Sequence, residues 1–155
     1  MNQPIIFNSH IKEDVVFGTN VKVVLPVNLY GCSIADDCFI GPFTEIQKDV
    51  NIGKRTKIQS HAFVCELVTI GDDCFIGHGV MFINDVFADG APARGDQSKW
   101  KSTVISNNVS IGSNATIMPV TICGNVVIGA GSVVTKNIAE PGIYAGNPAR
   151  FIRSL

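Results

Sequence analysis

The chain has 155 residues, 46% of them hydrophobic and 16% charged, with a formal net charge of −1. That length suits one domain, and the near-neutral balance gives no electrostatic basis for gripping nucleic acid or an anionic membrane. No apolar run approaches the ~20 residues of a membrane span. Met1 to His10 lack the basic-then-apolar order of a signal peptide, so a cytoplasmic location is expected.

Along the chain the dominant signal is a period of six. Apolar residues open successive hexads at Ile11, Phe17, Val23 and Leu29, and the frame then slips by one residue to Ile34. From Ile40 the hexads read IGPFTE, IQKDVN, IGKRTK, IQSHAF, VCELVT, IGDDCF and IGHGVM. Small or β-branched residues fill the fifth place: Thr44, Val50, Thr56, Ala62, Val68, Cys74 and Val80. Residues 84–101 break the frame with a polar stretch holding Gly90, Pro92 and Gly95. A segment of that kind is usually functional or disordered. The frame resumes at Ile105, Ile111 and Ile117, slips again to Ile122, and continues through Ile128 to Val134. Residues 140–155 lie outside it, and Pro148 suggests a short terminal helix.

Period six matches neither an amphipathic helix nor an alternating hairpin strand. It matches a coil whose sides are one hexad each, three sides closing a turn of 18 residues. The predicted fold is all-β, a parallel β-helix spanning residues 1–155 as a single domain. The opener points inward and the fifth residue fits near the corner. Glycine at the second place (Gly41, Gly53, Gly71, Gly77, Gly112, Gly129) is expected to supply freedom at the turn. Coils bury apolar surface only against their neighbours, so several are needed together. The five cysteines, Cys32, Cys38, Cys65, Cys74 and Cys123, form no C-x-x-C pair. They predict reduced thiols rather than a metal cluster or disulfide framework.

This pattern resembles the hexapeptide-repeat acyltransferases over nearly the whole chain. The stretch VSIGSNATIMPVTICGNVVIGAGSVVTKNIAEPGIYAGNPAR is similar to their acetyl-CoA-binding half. The stretch QSHAFVCELVTIGDDCFIGHGVMFIND is similar to the enzymes that N-acetylate dTDP-linked 3-amino-3,6-dideoxyhexoses for lipopolysaccharide O-antigen synthesis. The resemblance implies a left-handed coil, acetyl-CoA as co-substrate, no metal, and a homotrimer with sites in grooves between prisms. It places the pantetheine arm around Gly112, Ala115 and Ala130, with Gly77 a further cofactor-binding residue. Lys136 and Arg150 then face the CoA phosphates, where arginine offers bidentate geometry, and Pro148 shapes the adenine end.

The 18-residue turn supplies an independent test, because residues that far apart stack. Lys48, Glu66 and Asn84 form such a column, all at the third place and facing outward. A carboxylate beneath an amide at the loop mouth can hold an ammonium or orient an amine. The alternative is a solvated Lys48–Glu66 pair worth about 0–1 kcal/mol. His61 and His78 lie on the same side of the prism, in neighbouring columns, with residue 61 under 79 and 60 under 78; they are candidate general bases, or merely exposed histidines. Gly77 and Gly79 are candidate oxyanion donors, or simple turn glycines. In the loop, Asp85, Arg94 and Trp100 are candidate acceptor contacts; a lone tryptophan also serves as an anchor for its own loop.

Many O-acetylating relatives carry a histidine in this loop. None is present here, which favours an amine acceptor, since a neutral amine needs a dedicated base less than a hydroxyl does. The rivals are an O-acetyltransferase of a sugar or other small hydroxyl acceptor, a β-helical zinc carbonic anhydrase, and a non-catalytic scaffold. Zinc requires three placed ligands, and no third histidine accompanies His61 and His78 at close sequence spacing.

Overall fold

The computed structural model describes residues 10–155; the reading of the N-terminus as leaderless falls mainly on residues 1–9, outside the described part. Among the described residues twenty short strands stack into three sheets of six, eight and six strands. The chain visits the sheets in rotation. Val16–Phe17 opens the first, Lys22–Val23 the second and Asn28–Leu29 the third, and Ser33–Ile34 returns to the first. Pairing between coils is parallel throughout, with Ile34 beside Ile52 and Ile40 beside Ile58. The result is a left-handed parallel β-helix of hexapeptide repeats.

The hexad dictates this shape. With one opener per side, every side chain of that class converges on the axis. From Leu29 onward the openers are buried through Val134, and all seven fifth-place residues named above are buried with them. Each fully buried aliphatic side chain contributes about 1.5–3 kcal/mol. In the first coil the openers Ile11 and Val23 are half-buried and Phe17 is 38% exposed.

Both frame slips fall on the corner between the third and first sheets. There Leu29 to Ile34 and Ile117 to Ile122 are spanned by five residues instead of six. Pairs such as Leu29–Ile46 and Ile117–Val134 are consequently 17 apart rather than 18. The excursion, starting at Asn84, leaves from the same corner.

The glycines do a different job from the one expected. None of the second-place glycines has a positive φ. A Cβ on Gly53 would lie 2.4 Å from Gly71 of the next coil, and one on Gly112 would lie 2.5 Å from the Ala130 nitrogen. They are needed for close approach of stacked backbones. The left-handed conformation sits at the fourth place, on Asp37, Phe43, Asp49, Arg55, His61, Leu67 and Asp73 among others.

The tail also differs. Instead of a helix, Gly142–Ala145 joins the second sheet alongside Val126–Ile128, and Arg150–Arg153 folds back on it antiparallel. Backbone pairing to an available sheet edge prevails over the helix start that Pro148 suggested. Phe151 meets Tyr144 edge-on at 5.5 Å, fixing the hairpin. No described helix is long and apolar enough to cross a membrane.

Candidate active site

The corner between the third and first sheets carries the loop mouth. Asn84 follows the strand Met81–Phe82, and its carbonyl accepts the Lys101 N–H at 2.9 Å, so the loop is pinched shut at its base. Asp85 accepts from the N–H groups of Phe87 and Ala93 at 3.0 and 2.7 Å, which makes it an internal pin of the loop. The Asp96 side chain caps the short 3-10 turn Gln97–Lys99, and Lys99 pairs with Asp89 at 2.8 Å. Trp100 closes that turn and is half-buried, in keeping with an anchor. Arg94 is exposed and has no carboxylate partner among the described residues.

The Lys48–Glu66–Asn84 column forms, but Lys48 turns aside to Asp49 at 3.9 Å, so the Lys48–Glu66 pair is not made. Glu66 is instead held by three amide side chains. Its N–H donates to Gln47 Oε1 at 3.3 Å, and its carbonyl accepts from Asn84 Nδ2 at 3.4 Å. Its carboxylate accepts from Gln97 Nε2 at 3.5 Å. Gln47 Nε2 in turn donates to Glu45 Oε1 at 2.7 Å. Tyr30 sits beneath. Burial, then the Glu45 and Glu66 charges, push its hydroxyl above the ordinary tyrosine range. Gln47, Gln97 and Tyr30 escape the sequence reading because none shares the third-place column. Gln47 lies one place earlier in its hexad, and Gln97 belongs to the loop.

His61 and His78 occupy the corner between the second and third sheets. His61 stacks on Phe43 at 4.9 Å, and His78 Nδ1 lies 2.8 Å from Ser60 Oγ, as the stacking of residues 60 and 78 requires. Both rings are exposed. The oxyanion expectation fails here. The Gly77 N–H is committed to Ile111 O at 2.8 Å and the Gly79 N–H to Ser60 O at 3.0 Å. Ala115 is also corrected, because it holds the inward fifth place and is fully buried in the core, out of reach of a cofactor. Gly77 is buried too, whereas Gly112 is half-buried and Ala130 exposed. Beside them a Cβ on Gly131 would meet nothing within 4 Å. That leaves an open strip of small residues along this corner.

The two corners lie at opposite ends of the third-sheet strands. Strand Phe63–Val64 of the third sheet separates His61 from Glu66, and the five intervening steps span at most ~16–18 Å. At the far end, Ala149 donates to Val133 O at 2.8 Å and Gly146 to Ser132 Oγ at 3.1 Å, laying the hairpin turn across the last coil. Lys136, Pro148 and Arg150 are all exposed at this end.

All five cysteines are free, and four are buried. Burial pushes the Cys65 thiol up to about 12 and the Cys32 thiol up to about 11. Among the described residues no three histidine, cysteine or acidic side chains gather as a metal site.

Residues 31–66 match the bacterial transferase hexapeptide (six repeats), and residues 67–82 and 103–136 match the hexapeptide repeat of succinyl-transferase. The bifunctional protein GlmU of Clostridium acetobutylicum is 34% identical over 94% of this chain and 33% of its own length. The chain thus spans about a third of the curated relatives it matches. Among solved structures, the polySia-specific acetyltransferase NeuO is 30% identical, covering 90% of this chain and 70% of that one at a TM-score of 0.57. A hexapeptide-repeat acetyltransferase of Vibrio cholerae, solved with acetyl-coenzyme A, is 26% identical, covering 92% and 71% at a TM-score of 0.62. With its coil, its register and these matches together, the chain belongs to the hexapeptide-repeat acyltransferase superfamily.

Proposed function

We propose that this protein transfers the acetyl group of acetyl-CoA to the amino group, at C3, of a dTDP-linked amino-dideoxyhexose used in surface polysaccharide synthesis. The observation that carries the reading is the column at the loop mouth. Asn84 gives its amide hydrogen to Glu66 O, which leaves its carbonyl oxygen to accept from an amine. The Glu66 carboxylate beside it suits an ammonium on arrival.

The likeness to acetyltransferases supports acyl transfer. The strip at Gly112, Ala130 and Gly131 fits a pantetheine arm, since it is open and lacks bulky side chains. Lys136 and Arg150 supply exposed cations for the CoA phosphates. Glu66–Asn84 and the small-residue strip lie at different corners of one prism. A site formed between two prisms can use both corners at once, in accord with a homotrimer with acetyl-CoA in the grooves between prisms.

In this reading the amine reaches the site as an ammonium and loses a proton to solvent. Asn84 Oδ1 then orients the neutral amine. Its lone pair attacks the thioester carbonyl, and a tetrahedral intermediate forms. As the carbon–sulfur bond breaks, the thiolate takes the second nitrogen proton. The products are the N-acetyl sugar and free CoA. No histidine is required as base, in accord with the histidine-free loop.

The experiment is an acyl-transfer assay with acetyl-CoA against dTDP- and UDP-linked amino sugars and the corresponding hydroxy sugars. Turnover confined to amino sugars supports the reading. Turnover confined to hydroxy sugars establishes O-acetylation in its place.

A further inference from the structure

At the corners flanking the first sheet, several third-place N–H groups are capped by a side chain. Between the first and second sheets the cap comes from the coil above. Thr19 N–H donates to Asp36 Oδ1 at 2.8 Å, Lys54 N–H to Asp72 Oδ1 at 2.8 Å, and Asp72 N–H to Asn107 Oδ1 at 2.9 Å. In each case a short Asp or Asn at the third place spends its side-chain oxygen on the third-place N–H beneath it.

Asn84 stands in the same relation to Glu66, yet its oxygen is not spent in this way. The Glu66 N–H is already taken from below by Gln47 Oε1. The orientation of Gln47 is fixed in turn by Glu45. An ionised carboxylate only accepts, so the Gln47 amide must turn its nitrogen to Glu45 at 2.7 Å and its oxygen to Glu66. The Glu66 carbonyl likewise only accepts, so Asn84 must present Nδ2 to it. Among the described residues Asn84 Oδ1 then accepts no hydrogen bond.

We infer that Gln47, aimed by Glu45, is a positioning residue that relieves Asn84 of corner capping and so frees its oxygen for the acceptor amine. The inference rests on the reading of Asn84 given above. Without Gln47, the Asn84 amide is expected to rotate and cap the Glu66 N–H, as Asp72 caps Lys54.

The test combines structure and kinetics. In a crystal structure of Gln47→Ala, Asn84 Oδ1 should lie within hydrogen-bonding distance of Glu66 N. Turnover with the amino sugar should fall about tenfold, the effect of one hydrogen bond, with KM for acetyl-CoA unchanged. Gln47→Met, which keeps the packing volume and lacks the acceptor, should behave alike. The exchange Glu45→Gln with Gln47→Glu reverses the donor and acceptor and keeps an oxygen on Glu66 N–H. It should restore both the Asn84 orientation and the rate. An Asn84 amide that stays on Glu66 O in Gln47→Ala overturns the inference, as does a rotated amide with unchanged turnover. Full turnover in Asn84→Ala dismisses instead the underlying reading of the site.

Discussion

Asn84 lays its amide nitrogen on the main-chain carbonyl of Glu66, one coil below and 3.4 Å away. That contact puts an amide of known orientation at the mouth of the only long excursion from the described coil. Removing the side chain leaves the pinch between Asn84 O and Lys101 N intact, because both atoms are main chain. Asn84→Ala is therefore expected to lower kcat for the amino sugar by about tenfold or more, while acetyl-CoA affinity measured by calorimetry holds. An unchanged rate removes Asn84 from the site.

Arg150 offers a planar, doubly donating group at the exposed end of the hairpin. Arg150→Ala should raise KM for acetyl-CoA by about tenfold, as expected for loss of a charge-assisted hydrogen bond. It should hardly affect an analogue lacking the 3′-phosphate. Equal effects on the two co-substrates sink the phosphate assignment.

His61→Asn and His78→Asn should each keep near-full kcat, since the proposed chemistry needs no base from this corner. A general base would cost ~10²–10⁴ in rate when removed, and a drop of that size in either variant assigns the base there. His61 has a φ of 63°, a conformation asparagine tolerates better than most residues. Its variant should consequently fold, and circular dichroism checks this.

Asp36 makes one contribution to stability pH-dependent. The Thr19 N–H, then Lys54, hold its carboxyl at about 2 against an ordinary 3.8. The folded protein therefore favours the ionised form, and this contribution is present above pH 3.8 and lost as pH falls toward about 2. Asp36→Asn should lower the melting temperature at pH 7 and leave it unchanged below pH 2. An equal loss at both values attributes the effect to packing.

The hexad made the fold legible because one residue class recurs at one spacing, and the openers from Leu29 to Val134 are buried as that class requires. The same arithmetic found Glu66 beneath Asn84, since no slip intervenes between Ile46 and Phe82. It also held the signal that excludes Ala115, an inward fifth-place residue in its own hexad. Gln47 and Gln97 were invisible because side-chain hydrogen bonds between different hexad places, or between coil and loop, leave no period. The hairpin was missed for a similar reason. Gly142–Ala145 is drawn into place by the open edge of Val126–Ile128, a tertiary contact that local punctuation does not encode.

The shortened coils and the excursion share a single corner, while the parallel strands of the three faces stay in step from coil to coil. Such a rod is editable along one seam. A longer, shorter or differently sequenced insert there changes what hangs over the surface without recutting a strand or repacking the interior. What overhangs the surface can thus change while the barrel of aliphatic side chains beneath it stays the same.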